Sequence, residues 1–206
     1  MPAPIFSFPR AIVIRILRAA DMPNFGLSTL AILLGLLVVA INLPGVIKPA
    51  SFAAAAQKFP RNTPVGYPLM LLATGWFLYY LSIEAVSDFT SFKPVLYALF
   101  AGVGIGACIF VKDFLPVRGL AAVLLVLAKL MVDTGRPHLG ESSWVVLWQG
   151  WAYVLAIAGM WFTISPWRLR DMIHWATANV SRTRALSVVR LAFGLLFVVL
   201  GLTVYR

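Results

Sequence analysis

The chain has 206 residues, 61% of them hydrophobic and only 12% charged, with a mean hydropathy of +0.91. Charged residues make up about a quarter of an ordinary soluble domain, so this composition excludes one and predicts an all-α integral membrane protein. The net charge of +10 does not point to nucleic acid, because the basic residues gather at the ends of apolar runs, where they meet lipid headgroups.

In chain order, residues 1–26 mix Arg10, Arg15 and Arg18 with Ile12, Val13, Ile14, Ile16 and Leu17. This segment is too charged to cross a bilayer and predicts a helix lying on the membrane surface. Leu27–Ile47 is longer than the apolar core of a secretory signal, and Leu43-Pro44-Gly45 stands where a small-residue cleavage site would follow; it reads as a retained first span. In residues 48–67, the alanines 53–56 are flanked by Pro49, Pro60 and Pro64, which predicts a short helix and a turn at the interface. The second run, 68–83, ends in Trp76, Phe77, Tyr79 and Tyr80, side chains suited to the headgroup level, and Glu84 and Asp88 follow.

Runs 95–111 and 115–132 are separated only by Lys112, Asp113 and Phe114. Each is short against the ~20 residues that cross a hydrocarbon core, so they predict a tight hairpin, either spanning with snorkelling charges or partly buried against other helices. Runs 144–164 and 186–205 are the fifth and sixth. The chain thus reads as one membrane domain with about six spans: 1–26 at the surface, 27–164 holding spans 1–5, 165–184 an interfacial helix and 185–206 the last span.

Six spans put the amino terminus and the 165–190 loop on opposite faces. With that loop inside, the inner segments hold Lys48, Lys58, Arg61, Lys112, Arg118, Arg168, Arg170, Arg182, Arg184 and Arg190, and the outer ones Arg10, Arg15, Arg18, Lys93, Lys129, Arg136 and Arg206. The positive-inside rule then places the loop in the cytoplasm, although the basic segment before the first span argues by itself for the reverse.

Within the loop, Ser165-Pro166 reads as a hydroxyl N-cap followed by proline at the first helical position. At 100° per residue Leu169, Met172, Ile173, Ala176 and Val180 share one arc and Arg170, Asp171, His174 and Thr177 another, with Trp167 and Trp175 at the polar margin. This predicts an amphipathic helix whose Trp167, Arg168, Arg170, His174, Trp175, Arg182 and Arg184 contact anionic lipid or a partner subunit. Asn179-Val-Ser181 also matches a glycosylation sequon, an accidental one in a cytoplasmic loop. Residues 145–206, through Ser165-Pro166-Trp167-Arg168, Arg184, Arg190, Gly194-Leu195-Leu196 and Gly201-Leu202, resemble small uncharacterised two-helix inner-membrane proteins of bacteria. The resemblance implies the cytoplasmic membrane and a cytoplasmic hinge, and no activity.

Three groups of residues bear on chemistry. Lys129, followed after six residues by Arg136-Pro137, resembles the first motif of the six-span lipid phosphatases. That family's mechanism also needs a histidine nucleophile in an S-R-x5-H-x3-D segment and a second histidine in P-S-G-H. Here only His138 and His174 exist, and neither fits, so the phosphoryl group has no nucleophile. The same residues read locally as an i,i+4 and i,i+3 series, Lys129–Asp133–Arg136, that pairs along a helix end. Glu84 and Asp88, one turn apart and within reach of Lys93, Lys112 or Lys129, are costly charges near a span and suggest either an ion pair or a small proton- or ion-coupled transporter using Glu84, Asp88, Lys129 and Asp133. Ala98, Gly102 and Gly106 make two small-xxx-small steps, a face for close helix packing.

Lone Cys108 provides no disulfide or thiolate cluster, and no cofactor or metal motif appears. The sequence therefore leads to a non-catalytic accessory or scaffolding subunit of the bacterial cytoplasmic membrane. Its expected partners are anionic lipids and other integral membrane subunits, with no nucleic acid.

Overall fold

A computed structural model describes residues 26–83 and 92–205. Among the described residues the chain forms eight α-helices: α1 (Leu27–Ile47), α2 (Pro49–Lys58), α3 (Thr63–Ile83), α4 (Lys93–Phe110), α5 (Leu115–Gly135), α6 (Ser143–Ile164), α7 (Pro166–Ala176) and α8 (Val180–Thr203). Single 3-10 turns follow α2 at Phe59–Arg61 and α5 at Arg136–His138. No strand is present among these residues. The surface helix expected in 1–26 falls outside them, Gly26 apart.

Five helices, namely α1, α4, α5 with its following turn, α6 and α8, are long and apolar enough to cross a membrane. The difference from the expected six is α3. It matches α1 in length, 21 residues, but Tyr67, Trp76, Tyr79 and Tyr80 and two prolines dilute its apolar content. It also starts at Thr63 rather than at 68. Pro64 sits in its first turn, where a missing N–H costs nothing, and Asn62 O accepts from Val65 N and Gly66 N at 3.0 and 3.2 Å. In α1, the helix runs on through Pro44 to Ile47.

The longest interface joins α1 to α8, the first and last described helices. Gly201 approaches Ser28 and Ile32, Gly194 approaches Gly35 and Val38, and Ser187 lies against Gly45, so the pair is antiparallel. Ser187, Gly194 and Gly201 recur every seven residues and keep one seam on the partner helix. A Cβ on Gly35 would stand 2.6 Å from Gly194 O, and one on Gly194 would stand 2.9 Å from Gly35 O. The backbones therefore touch, which matters in lipid, where association rests on packing rather than on the hydrophobic effect.

Helix α5 packs against both α6 and α3, and α4 packs along α3. The expected 95–132 hairpin is corrected in this respect: α4 and α5 are consecutive, but both lie on α3 and share no comparable interface with each other. The cause lies in side-chain size: Gly119 of α5 brings its backbone against Leu69 and Met70 of α3, and Gly104 of α4 meets Thr74 of α3.

Two apolar clusters hold the bundle. One joins α1, α5, α6 and α8 around Trp148, which is fully buried among Leu27, Met131, Val145, Phe197 and Tyr205. Trp148 Nε1 donates to Met131 O at 2.9 Å, its ring meets Phe197 edge-on at 5.5 Å between centroids, and Tyr205 Oη donates to Trp144 O at 2.7 Å. The second, at the other end of the bundle, joins Phe114, Val117, Ala121 and Phe162, with Leu169 of α7 against it. Outward-facing Leu36, Ile47, Val95, Ile157 and Val189 are all at least half exposed, the pattern of helices whose outer solvent is lipid.

Candidate membrane-interface site

The two short helices lie at the same end of the bundle. α1 and α6 both arrive there, α3 and α8 leave from there, and the 111–114 connection between α4 and α5 turns there. α2 and α7 touch each other, and Gln57 Nε2 donates to Thr177 Oγ1 at 2.9 Å, joining residues 120 positions apart.

Phe114 pins this platform. It is the one non-glycine with positive φ among the described residues, at 55°, a conformation that costs roughly 1–2 kcal/mol in an L-residue. The left-handed turn lets Phe114 O accept from Val117 N and Arg118 N at 3.0 and 3.1 Å while the ring is buried. The guanidinium carbons of Arg61 and Arg170 each lie 5.9 Å from the centroid of that ring, so one aromatic side chain contacts the turn after α2 and the middle of α7 together.

Helix α7 buries Ala176 and half-buries Leu169 and Ile173, as the arc predicts. Met172 departs from that arc: it is exposed and sits with Trp161, Arg168, Asp171 and Trp175 around a shallow pocket of about 230 Å³. Trp167 and Trp175 are 46% and 62% exposed, so both indoles face the surroundings at the level where the bundle ends.

The predicted 165–184 helix breaks in two. α7 stops at Ala176, and Asn179 caps α8, its Oδ1 accepting from Arg182 N at 2.7 Å. Val180, Arg182 and Arg184 therefore belong to the first turns of the last long helix. Ser165 does occupy the N-cap of α7 with Pro166 next, but its hydroxyl makes no capping bond; its carbonyl accepts from Arg168 N instead.

Arg170 binds Asp171 Oδ1 through Nε and Nη2 at 3.0 and 2.9 Å. Arg182 donates to Trp175 O at 3.1 Å and lies 5.1 Å from that indole's centroid. Arg168, His174 and Arg184 are exposed and in no ion pair among the described residues. This end carries Lys48, Lys58, Arg61, Lys112, Arg118, Arg168, Arg170, Arg182 and Arg184 against Asp113 and Asp171.

At the opposite end the described charges nearly balance: Lys93, Lys129 and Arg136 against Asp133 and Glu141. Lys129 Nζ bonds Asp133 Oδ2 at 2.7 Å and lies 4.7 Å from the centroid of the Tyr80 ring. Arg136, in the turn after α5, does not join that pair, and His138 Nδ1 lies 2.9 Å from Glu141 Oε2 instead. Glu84 and Asp88 lie outside the described residues; Lys112, one of their expected partners, is at the end of the bundle away from Ile83.

The lipid-phosphatase arrangement does not assemble among the described residues. Lys129 lines an apolar groove, but neither Arg136 nor a histidine does, and His174 sits at the far end. Among the described residues no three His, Cys, Asp or Glu side chains gather to hold a metal. The face of Ala98, Gly102 and Gly106 meets no other described helix: a Cβ on Gly102 finds nothing within 4 Å, and one on Gly106 finds only Phe110 of the same helix. Gly35 and Gly194, by contrast, meet backbone to backbone across α1 and α8, a contact between helices remote in sequence.

Comparison with known proteins adds no relative: no family model matches the chain, no curated protein matches its sequence, and no solved structure matches its fold.

Proposed function

We propose that the chain is a non-catalytic, six-span subunit of a bacterial cytoplasmic membrane, with α3 as the sixth span and the α2/α7 platform in the cytoplasmic headgroup layer. In this reading the platform binds anionic lipid, and the outer helix faces, that of Ala98, Gly102 and Gly106 among them, pack against other membrane proteins. The observation that carries the reading is the gathering of nine basic side chains with exposed Trp167 and Trp175 at one end of the bundle. A basic residue near an anionic leaflet contributes about 1 kcal/mol, and indoles favour that same layer.

Arg168 and Arg184 are the residues to test, since Arg170 and Arg182 also hold the platform together. The full chain and its Arg168→Gln/Arg184→Gln variant are purified in mild detergent, and co-purifying phosphatidylglycerol and phosphatidylcholine are quantified by mass spectrometry. A several-fold drop in phosphatidylglycerol alone supports the reading; equal retention by both proteins removes it. The same purification identifies any stoichiometric protein partner, and a chain isolated alone under the gentlest conditions would sink the accessory role. Cysteines at 168 and 184, in a chain with Cys108→Ala, test orientation: labelling by an impermeant thiol reagent in intact cells reverses it.

A further inference from the structure

A groove of about 400 Å³ runs between α3, α4 and α5. It exists because α4 leans on α3 at Thr74 and Gly104 and stands away from α5. Its floor is buried Ala73 and Val126, its walls include Phe77 and Phe100, whose ring centroids lie 4.6 Å apart, and it is open along one side. No segment of the described chain fills it. We infer that this groove holds one acyl chain of a phospholipid from the leaflet opposite the basic platform, a site independent of that platform although it shares the reading of these helices as membrane spans.

Three features select this occupant. The groove extends along α3 from Met70 to Leu81, a rise of about 16 Å at about 1.5 Å per residue, which is close to half of a hydrocarbon core of about 30 Å. It runs from mid-helix to one end only, so it matches one leaflet and not a full transmembrane helix of a second copy. The side chain at its mouth that carries charge is Lys129, bonded to Asp133. Among the described residues this cation–carboxylate pair leaves the mouth with little net charge, so the site selects the chain and not an anionic headgroup, in contrast to the platform.

The test uses the full chain in nanodiscs of phosphatidylcholine doped with a phospholipid that carries a diazirine in its acyl chain. After illumination, adducts are mapped by mass spectrometry. Adducts at Phe77, Val103 and Leu125 should exceed those at Leu36 and Val189 on open lipid-facing surface by at least about fivefold. They should fall to the open-surface level in Ala122→Trp, whose indole fills the groove, while helix content by circular dichroism is unchanged. Should Ala122→Trp fail to fold, Val103→Trp fills the groove from α4 and is read at Phe77 and Leu125. Phosphatidylglycerol carrying the same label should give the same pattern. Adducts spread evenly over all outer faces, or groove labelling that persists in a folded filled variant, overturn the inference, as does a photo-crosslinker at position 125 that captures a second protein chain. Because the platform test reads headgroup charge and this one reads chain position, either can fail alone.

Discussion

Gly35→Ala perturbs the α1/α8 contact at its closest point. The added methyl stands 2.6 Å from Gly194 O, 2.7 Å from Val198 Cγ2 and 2.9 Å from Val198 N. Rotating Val198 relieves the second contact, but the first and third involve backbone, so the helices must part. Overpacking of this kind costs about 1–3 kcal/mol, and alanine returns about 0.5–1 kcal/mol of helix propensity over glycine. The net expectation is a loss of about 0.5–2 kcal/mol. Gly102→Ala on α4 is the matched control: nothing lies within 4 Å of the new methyl, so the propensity gain stands alone and the variant is about 0.5–1 kcal/mol more stable. Both are measured as the loss of helical circular dichroism on titrating SDS into a mild detergent. If Gly35→Ala unfolds at the wild-type midpoint, or Gly102→Ala is destabilised as much as Gly35→Ala, the packing argument fails.

Trp148→Phe keeps the buried ring but loses the bond to Met131 O, which already serves the helix, and should cost about 1 kcal/mol; Trp148→Ala empties the central cluster and should cost about 3–5 kcal/mol in the same titration. Phe114→Ala removes the ring shared by Arg61 and Arg170, so amide hydrogen exchange in α2 and α7 should rise together while that of α1 and α8 stays unchanged; unaltered exchange in α2 would show that the ring does not couple them. Burial pushes the Tyr205 phenol up to about 12 from an ordinary value of about 10. Its folded value lies above the unfolded one, so its contribution is complete below pH 10 and is lost as pH rises toward 12, by up to about 3 kcal/mol. Tyr205→Phe should flatten that part of the stability profile relative to wild type, and parallel profiles would refute the assignment.

What the sequence made legible follows from how each signal is encoded. The run Leu27–Ile47 and the start of α7 at Pro166 were readable because an uninterrupted apolar stretch and a proline at N1 act locally. The division of 165–184 is hidden for a related reason: Asn179 matches a sequon as well as a cap, and nothing local distinguishes the two. The count of spans differs at α3, where Trp76, Tyr79 and Tyr80 lower hydropathy without shortening the helix. Packing was the least legible. Ala98–Gly102–Gly106 has the denser small-residue pattern, yet it points outward, whereas Gly35 and Gly194 are isolated in sequence and meet only when α1 and α8 are side by side. The Lys129–Asp133 pair was legible as an i,i+4 spacing; the groove beside it was not, because it depends on which third helix separates α4 from α5.

The pairing of α1 with α8 also sets an order on biosynthesis. The two helices are separated by the 132 residues from 48 to 179, which at about 5–20 residues per second take roughly 7 to 26 s to translate. Through that interval the Gly35 seam lacks the α8 surface on which it packs, and its backbone is open to another small-residue helix, the Gly102 face of α4 among them. If the helices enter a membrane in chain order, α1 is either sheltered until α8 arrives or releases a wrong partner before the bundle closes.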